Sequence, residues 1–329
     1  MWQKFKKNKR GYYSLIIFCI IFVITLFAEI IANDKPIILK YENKYYFPII
    51  KNYSERHFGG ELKTYANYKD PVVIDLINKK GWMIMPLISF SYDTINFNLT
   101  GPAPTRPDGV NWLGSDDQGR DILARIIYGV RISLIFGIIL SFFSAMMGVF
   151  FGAVQGYFAG LLDLLFQRFM EIWSSMPTLF LLIILSSIIE PGFFSLLFLM
   201  LLFSWMAMVG FVRAEFLRLR NFDFVKSAKA IGANDYYIMW SHILPNASPI
   251  IMANLPFLIA GSITTLTALD FLGLGMPAGS PSIGELLAQG KNNISSYWIA
   301  ISGFVILTKI LMLLIFIGEG LRDALDSRK

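Results

Sequence analysis

Residues 132–155 read ISLIFGIILSFFSAMMGVFFGAVQ, and no acidic or basic side chain interrupts them. An α-helix rises 1.5 Å per residue, so about 20 apolar residues cross a hydrocarbon core about 30 Å thick. Inside lipid the backbone must satisfy its own hydrogen bonds, and a helix does this within one segment. The stretch therefore predicts a membrane-spanning helix.

The rest of the chain has the same character. Its 329 residues are 55% hydrophobic and 16% charged, with a mean hydropathy of +0.56, whereas soluble domains are about 25% charged. Five more segments qualify or nearly qualify as spans: residues 12–32, 169–189, 192–212, 249–269 and 298–317. We therefore predict an all-α, polytopic membrane protein with six transmembrane helices.

Basic residues orient these spans. Short flanking segments rich in Lys and Arg stay in the cytoplasm, and the head KFKKNKR at residues 4–10 is such a segment. Six spans then return the C-terminus to the cytoplasm and place residues 213–248 there as well. The exported residues 33–111 also contain lysines, but the charge rule loses force for loops longer than about 60 residues.

A competing interpretation makes residues 12–32 a cleaved signal peptide. A basic head, an apolar middle and a small residue at Ala32 are typical of such a segment. The apolar middle is longer than the usual range of about 7 to 15 residues, which favours a permanent helix. Cleavage would leave the orientation of the other five spans unchanged.

Three parts follow from these assignments: a head and first span at residues 1–32, an exported insert at residues 33–111, and a core at residues 112–329. The core contains five spans and the cytoplasmic loop of residues 213–248. We expect this loop to face whatever protein meets the membrane helices from the cytoplasm.

A polar helix is predicted where the core begins. Ser115 and Asp116 suit capping positions, and Arg120, Asp121 and Arg125 lie opposite an apolar stripe on a helical projection. Such a helix would lie in the membrane interface before the chain turns into the second span.

Four glycines recur at intervals of four residues at the end of the second span: Gly148, Gly152, Gly156 and Gly160. Small residues at this spacing share one helix face and let two helix backbones approach closely. They pack either within this chain or against a second membrane subunit. Packing within the chain is the favoured interpretation.

Two ionisable residues fall at membrane depth. Asp270 lies at the outer end of the fifth span, and Lys309 lies near the middle of the sixth. Such groups are expensive in lipid and usually face a bundle interior or a watery path. Asp270 and Lys309 are therefore candidates for the translocation path, or alternatively for a structural ion pair.

Several functional classes are excluded. The sequence has no GxxxxGK[ST] phosphate loop, and GLGMPAG at residues 273–279 lacks the spacing of a dinucleotide fingerprint. The two histidines, His57 and His242, fall on opposite sides of the predicted membrane, and the sole cysteine, Cys19, lies in the first span. We predict no catalytic residue, metal site or cofactor in this chain. The basic residues are dispersed or flank spans, so we also predict no nucleic-acid binding.

The cytoplasmic loop contains AKAIGANDYYIMWSHILPN at residues 228–246, which is too polar to continue a span. Residues 215–231 are compatible with a helix that Gly232 would end. Asn234 and Asp235 can cap a second short helix, which Pro245 would end before the fifth span. Two short helices joined by a glycine turn suit a groove on a partner protein.

This stretch resembles the EAA loop of bacterial ABC importer permeases, the segment that docks the ATPase subunit. Gly232, Leu244 and Pro245 match that pattern, and Ala228 matches its second alanine. Lys226 and Ser227 depart from it, standing where the motif has Glu and its first Ala. The resemblance implies this docking set: Ala228, Ala230, Gly232, Ala233, Asp235, His242, Leu244 and Pro245.

Two further stretches extend the resemblance. WLGSDDQGRDILARIIYGVRISL at residues 112–134 and DFLGLGMPAGSPSIGELLAQG at residues 270–290 are similar to signatures of the C-type permeases of dipeptide and oligopeptide ABC importers. With the long exported insert, the chain is most similar to the Yej type within that branch. The match runs from about residue 111 to the C-terminus.

The resemblance implies a type I ABC importer permease in the bacterial inner membrane, forming half of a translocation path. Implied partners are a B-type permease in a heterodimer, two ATP-binding subunits or one fused ATPase, and a periplasmic peptide-binding protein. ATP and Mg would be bound by the ATPase and not by this chain. Implied substrates are oligopeptides, including peptide-nucleotide antibiotics of the microcin C kind.

Other functions remain open on the sequence. A related importer for nickel or another small solute would share these motifs. A secondary transporter or channel would move solute without an ATPase partner. A membrane scaffold would have no transport role, and the docking loop argues against it.

Overall fold

The structure, a computed structural model, describes residues 2–186, 188–190 and 192–325. The helices of the first half are α1 Trp2–Lys7, α2 Lys9–Leu26, α3 Ala28–Ile31, α4 Pro71–Lys80, α5 Ile122–Phe158, α6 Gly160–Ser175 and α7 Thr178–Ser186. Those that follow are α8 Phe193–Ser204, α9 Met206–Leu219, α10 Asp223–Ala230, α11 Asp235–Tyr237, α12 Leu244–Phe271, α13 Ile283–Asn292 and α14 Tyr297–Leu325. The strands are β1 Ile38–Tyr41, β2 Lys44–Tyr46 and β3 Gly81–Ile84.

Among the described residues, five helical stretches are long and apolar enough to cross a membrane: Lys9–Leu26, Ile122–Phe158, Phe193–Leu219, Asp235–Phe271 and Tyr297–Leu325. They overlap five of the six segments expected from the sequence. The chain is mainly helical, as predicted.

The sixth expected span, residues 169–189, is divided. α6 ends at Ser175, and Met176 adopts an extended conformation with ψ at 130° immediately before Pro177. Proline disfavours a helical conformation in the residue before it and lacks the N–H that would continue the ladder. The prediction of one continuous helix here is therefore wrong, and a sixth crossing stays a prediction.

Packing divides the chain into two compact units. The first comprises Met1–Ile20, Ser133–Pro277 and Thr308–Lys329, and the second comprises Ile21–Ile132 and Ala278–Leu307. A core cluster of the first unit joins the end of α5 to α9, α10 and α12 through buried apolar side chains such as Tyr157, Phe216 and Val225. The end of α5 is thereby packed onto α10 and onto the residues that lead into α12.

The glycines of α5 lie against α9. A methyl group on Gly148 would approach Met208 Cβ to 2.6 Å, and one on Gly152 would approach the Val209 carbonyl oxygen to 2.8 Å. Gly156 is equally close to α9. Helix α5 ends before Gly160, which has a φ of +59° and open space around it. Gly160 therefore serves the turn into α6 and is not part of this contact.

The insert contains a small antiparallel sheet with strand order β2-β1-β3. Leu39 pairs with Tyr46 on one side and with Met83 on the other. One face is covered by α4 and by a 3₁₀ turn at Glu55–Phe58, with Phe58 and Ile77 fully buried. The all-α prediction is therefore wrong for this segment. Strands of three or four residues are too short to show an alternating pattern in the sequence, so they were not predicted.

The start of α5 differs from the expected interfacial helix. Residues 111–121 form turns, and α5 runs without interruption from Ile122 to Phe158. Asp121, rather than Ser115 or Asp116, caps it by accepting a hydrogen bond from the Ala124 N–H at 2.8 Å.

The charged side chains of this region are buried rather than solvated. Asp116 accepts a hydrogen bond from Arg120 Nε at 2.7 Å and lies 3.5 Å from Arg125 Nε. Glu285 of α13 accepts hydrogen bonds from both guanidinium groups, at 3.3 and 2.8 Å. Buried charges persist only when paired, so this four-residue cluster ties the start of α5 to α13.

Candidate functional site

A two-helix projection, residues 223–237, is the candidate partner-binding element; we call it the knob. The knob begins with α10, which ends in a Schellman motif. The N–H of Ala233 donates a hydrogen bond to the carbonyl of Ala228, and the N–H of Gly232 donates one to the carbonyl of Lys229. This pattern places the residue after the helix in the left-handed region, and Gly232 has a φ of +89°. The predicted bend at Gly232 is present.

The second helix of the knob starts as expected but does not end at Pro245. The side chain of Asn234 caps it by accepting a hydrogen bond from the Tyr237 N–H at 2.7 Å. The helix then passes through a π-helical turn, Ile238–Ile243, and continues as α12. A proline ring clashes with the carbonyl four residues earlier in an α-helix, and the wider π turn accommodates Pro245. The predicted stop at Pro245 is wrong.

The eight residues of the predicted docking set differ in exposure. Ala230, Gly232, Asp235 and Pro245 are exposed, Ala233, His242 and Leu244 are half-buried, and Ala228 is buried. Ala228 packs in the core cluster with Val225 and Ile238. His242 lies edge-on against the ring of Tyr237, with centroids 5.2 Å apart.

The predicted docking set left out the large apolar and aromatic side chains on either side of the bend. Ile231 is 87% exposed, Tyr236 74% and Tyr237 52%. Phe222 and Phe224, whose rings contact each other, are also exposed, at the start of α10. Exposed apolar side chains that cluster on a surface mark an interaction site more reliably than isolated ones. The signal in the sequence was the presence of bulky apolar or aromatic residues on both sides of Gly232.

The two candidate path residues lie in different environments. Asp270 is nearly buried near the end of α12, where its carboxylate accepts a hydrogen bond from the Met276 N–H at 2.7 Å. Lys309 is exposed on α14. The contact with Met276 gives Asp270 a part in shaping the turn that follows α12.

Helix α12 presents a different candidate for a path. Gly261, Thr264, Thr265 and Ala268 are exposed at helical spacing within an otherwise apolar helix. Both threonine hydroxyls donate to carbonyls of their own helix at 2.9 Å. The face is therefore small and weakly polar, which suits contact with a partner helix or a passing solute better than contact with lipid.

A cavity of about 560 Å³ adjoins this face. Residues of α9 and α12 line most of it, with Asn254, Ser204 and Arg322 supplying polar groups. Asp270 and Lys309 are not among its lining residues. Within the described part of the chain, no group of three His, Cys, Asp or Glu side chains could hold a metal ion.

Comparison with protein families matches most of the core and the start of the chain. Residues 146–329 match the family described as binding-protein-dependent transport system inner membrane component. Residues 1–48 match the N-terminal TM domain of oligopeptide transport permease C.

Comparison with curated proteins adds relatives along the full length. The chain is 52% identical over 328 residues to the inner membrane ABC transporter permease protein YejE of Escherichia coli (strain K12), covering 100% of this chain and 96% of that protein. It is 50% identical over 352 residues to the peptidoglycan transport system permease protein YejE of Agrobacterium fabrum, covering 100% and 92%. The oligopeptide transport system permease protein OppC of Haemophilus influenzae is 35% identical over 240 residues, covering 73% and 77%. These matches confirm the resemblance to the oligopeptide branch and to its Yej type.

A solved structure shares the fold. A chain of the MetNI methionine ABC transporter in an inward facing conformation aligns with a TM-score of 0.51 at 16% identity, covering 62% of this chain and 97% of that chain. The family match covers more than half of the sequence, and two relatives match all of it. The chain therefore belongs to the family of binding-protein-dependent transport system inner membrane components.

Proposed function

We propose that this chain is the permease subunit of an ATP-driven ABC importer for peptides. The relatives named for oligopeptide and peptidoglycan transport support a peptide substrate. The full-length similarity to Yej permeases extends the proposal to peptide-nucleotide antibiotics of the microcin C kind.

The proposed topology has six crossings with both termini in the cytoplasm. α6 and α7 together make the third crossing, broken at Pro177, and residues 33–111 form a periplasmic insert. The basic head before α2 supports this orientation, because lysine-rich flanks resist export. The knob then faces the cytoplasm.

The knob docks an ATP-binding subunit in this proposal. The observation that carries it is the exposed apolar surface at Ile231, Tyr236 and Tyr237, on a segment bent at Gly232. Apolar and aromatic side chains supply most of the binding energy in such contacts. Two ATP-binding subunits, or one fused ATPase, would hold ATP and Mg.

The translocation path would be shared with a second permease of the B type, and a periplasmic peptide-binding protein would deliver substrate. The weakly polar face of α12 and the adjoining cavity support a path along this helix. Asp270 and Lys309 stay candidates for it. No catalytic step is assigned to this chain.

Ile231→Asp tests the docking. Ile231 is 87% exposed, so the change leaves the fold intact but places an uncompensated charge in the contact. We expect the ATP-binding subunits to be lost when the complex is purified from membranes, and peptide uptake into proteoliposomes to stop.

Ile50→Asp in the insert is the matched control, because Ile50 is 83% exposed and lies far along the chain from the knob. This variant should retain the ATP-binding subunits. If Ile231→Asp retains them as well, the proposed docking surface is wrong.

A further inference from the structure

Tyr157 is the last residue but one of α5, and it is 5% exposed. Its ring packs in the core cluster with Val225 of α10 and with Ile238 of the π-helical turn. A tyrosine buried at a helix end needs a partner for its hydroxyl. Its partners lie on the elements that carry the knob.

Three polar contacts converge on this residue. The Tyr157 hydroxyl donates a hydrogen bond to Asp235 Oδ1. The Tyr157 carbonyl, left without a helical partner at the end of α5, accepts a hydrogen bond from Arg220 Nη1 at 3.1 Å. The ammonium group of Lys229 lies 4.9 Å from the ring centroid, within the range of a cation–π contact.

These partners lie on three successive elements. Arg220 caps the end of α9, Lys229 is in the last turn of α10, and Asp235 begins α11 on the other side of the bend at Gly232. Tyr157 thus contacts both helices of the knob and the helix that leads into it. A displacement of the knob must either break these contacts or move the end of α5.

We propose that Tyr157 is the positioning residue through which movement of the knob is passed to α5. The proposal rests on the proposed docking of an ATP-binding subunit to the knob. In this role the hydrogen bond from the hydroxyl to Asp235 makes the second helix of the knob move together with α5. The contacts with Arg220 and Lys229 do the same for the end of α9 and for the first helix of the knob. Tyr157 touches neither nucleotide nor peptide.

Tyr157→Phe in the assembled complex tests this role, because it removes the hydroxyl and keeps the ring and the carbonyl. Peptides imported per ATP hydrolysed should fall by about five-fold, as expected for the loss of one hydrogen bond. The amount of complex and its content of ATP-binding subunits should stay at the unmutated level. A bond that only stabilises the fold would lower the yield of complex and leave this ratio unchanged.

Tyr128→Phe is the control. Tyr128 is buried on the same helix, and its hydroxyl donates a hydrogen bond to the Ala32 carbonyl at 2.9 Å. The substitution and the lost bond are of the same kind, but no part of the knob is involved. Its ratio of import to hydrolysis should equal that of the unmutated complex.

Asp235→Ala completes a double-mutant cycle. It should lower the ratio of import to hydrolysis as far as Tyr157→Phe does. The double variant should lower this ratio no further, because both changes remove the same hydrogen bond. The role of Tyr157 is overturned if Tyr157→Phe keeps the unmutated ratio, if Tyr128→Phe lowers it equally, or if the two losses simply add. If the unmutated chain retains no ATP-binding subunit, the docking proposal itself fails, and this inference with it.

Discussion

The guanidinium group of Arg213 holds both carboxylate oxygens of Asp163, with Nε 2.6 Å from Oδ1 and Nη2 2.7 Å from Oδ2. Two parallel charge-assisted bonds of this kind fix direction as well as distance. The pair joins α6 to α9, and Asp163 is nearly buried. The pair anchors α6, the helix that ends directly before the break at Pro177.

Asp163→Ala should lower the free energy of unfolding by about 2 kcal/mol, because it leaves the partly buried guanidinium of Arg213 without its carboxylate. Thermal unfolding of the full chain in nanodiscs, followed by tryptophan fluorescence, measures this. Arg168→Ala on the same helix is the control, since its pair with Glu171 is exposed on both sides. The control should cost less than about 1 kcal/mol, and equal losses would contradict the anchoring role.

Gly152→Ala should also destabilise the chain, by about 2 kcal/mol. The added methyl group would lie 2.8 Å from the Val209 carbonyl oxygen and 2.9 Å from Val212 Cβ, so α5 and α9 must separate, as in an overpacked core. Gly210→Ala is the matched control on α9, where no atom of the described part of the chain lies within 4 Å of the added group. Alanine's higher helix propensity should make that variant slightly more stable. The same unfolding assay compares them, and a harmless Gly152→Ala would refute the close approach.

The insert should become more stable as the pH rises above about 8. The Lys69 ammonium lies 3.3 Å from the Phe90 ring centroid, and it has no hydrogen-bond partner among the residues that the structure describes. Burial lowers the pKa of Lys69 to about 8, although the nearby carboxylates of Asp34 and Asp121 oppose the shift. Between that pKa and the ordinary value near 10.5, the unfolded chain binds a proton that the folded chain has lost. Stability therefore rises with pH across this window.

Lys69→Met should abolish that rise and stabilise the insert by about 1 kcal/mol at neutral pH, a figure reduced for the partial solvent screening of the site. Unfolding of the full chain in nanodiscs at several pH values between about 7 and 10 measures both effects. Lys79→Met, which removes an exposed lysine of α4, is the control. A pH dependence that survives in Lys69→Met would assign it to another group.

Local sequence patterns predicted those features that depend on residues close together in the chain. The spacing of Gly148, Gly152 and Gly156 indicated a close helix contact, and the structure supplies α9 as the partner. Gly232 and Asn234 indicated a bend and a cap, and both are present because each depends on bonds within about five residues.

Contacts between distant residues could not be predicted from spacing. Arg125 was expected on a polar face, yet it is fully buried because Glu285, 160 residues away, supplies its carboxylate. Tyr157 carried no signal as the aromatic end of an apolar run, since its partner Asp235 lies 78 residues further on. The predicted helix stop at Pro245 is wrong for a related reason. The rule that proline ends a helix takes no account of a π-helical turn before the proline.

That π-helical turn at Ile238–Ile243 also affects the direction in which the side chains of α12 point, relative to the bend at Gly232. Each residue of an α-helix advances the direction of its side chain by about 100°. In a π-helical turn each N–H bonds to the carbonyl five residues earlier, so the turn holds about one residue more than an α-helical turn. Deleting one residue from it would let the segment close as ordinary α-helix and would leave the Thr264 and Thr265 face of α12 pointing in nearly the same direction relative to the bend at Gly232. A deletion of one residue within α12, between Pro245 and Thr264, would instead rotate that face by roughly 100°. The π turn is therefore the place where this segment tolerates the loss of one residue without aiming α12 at a wrong neighbour.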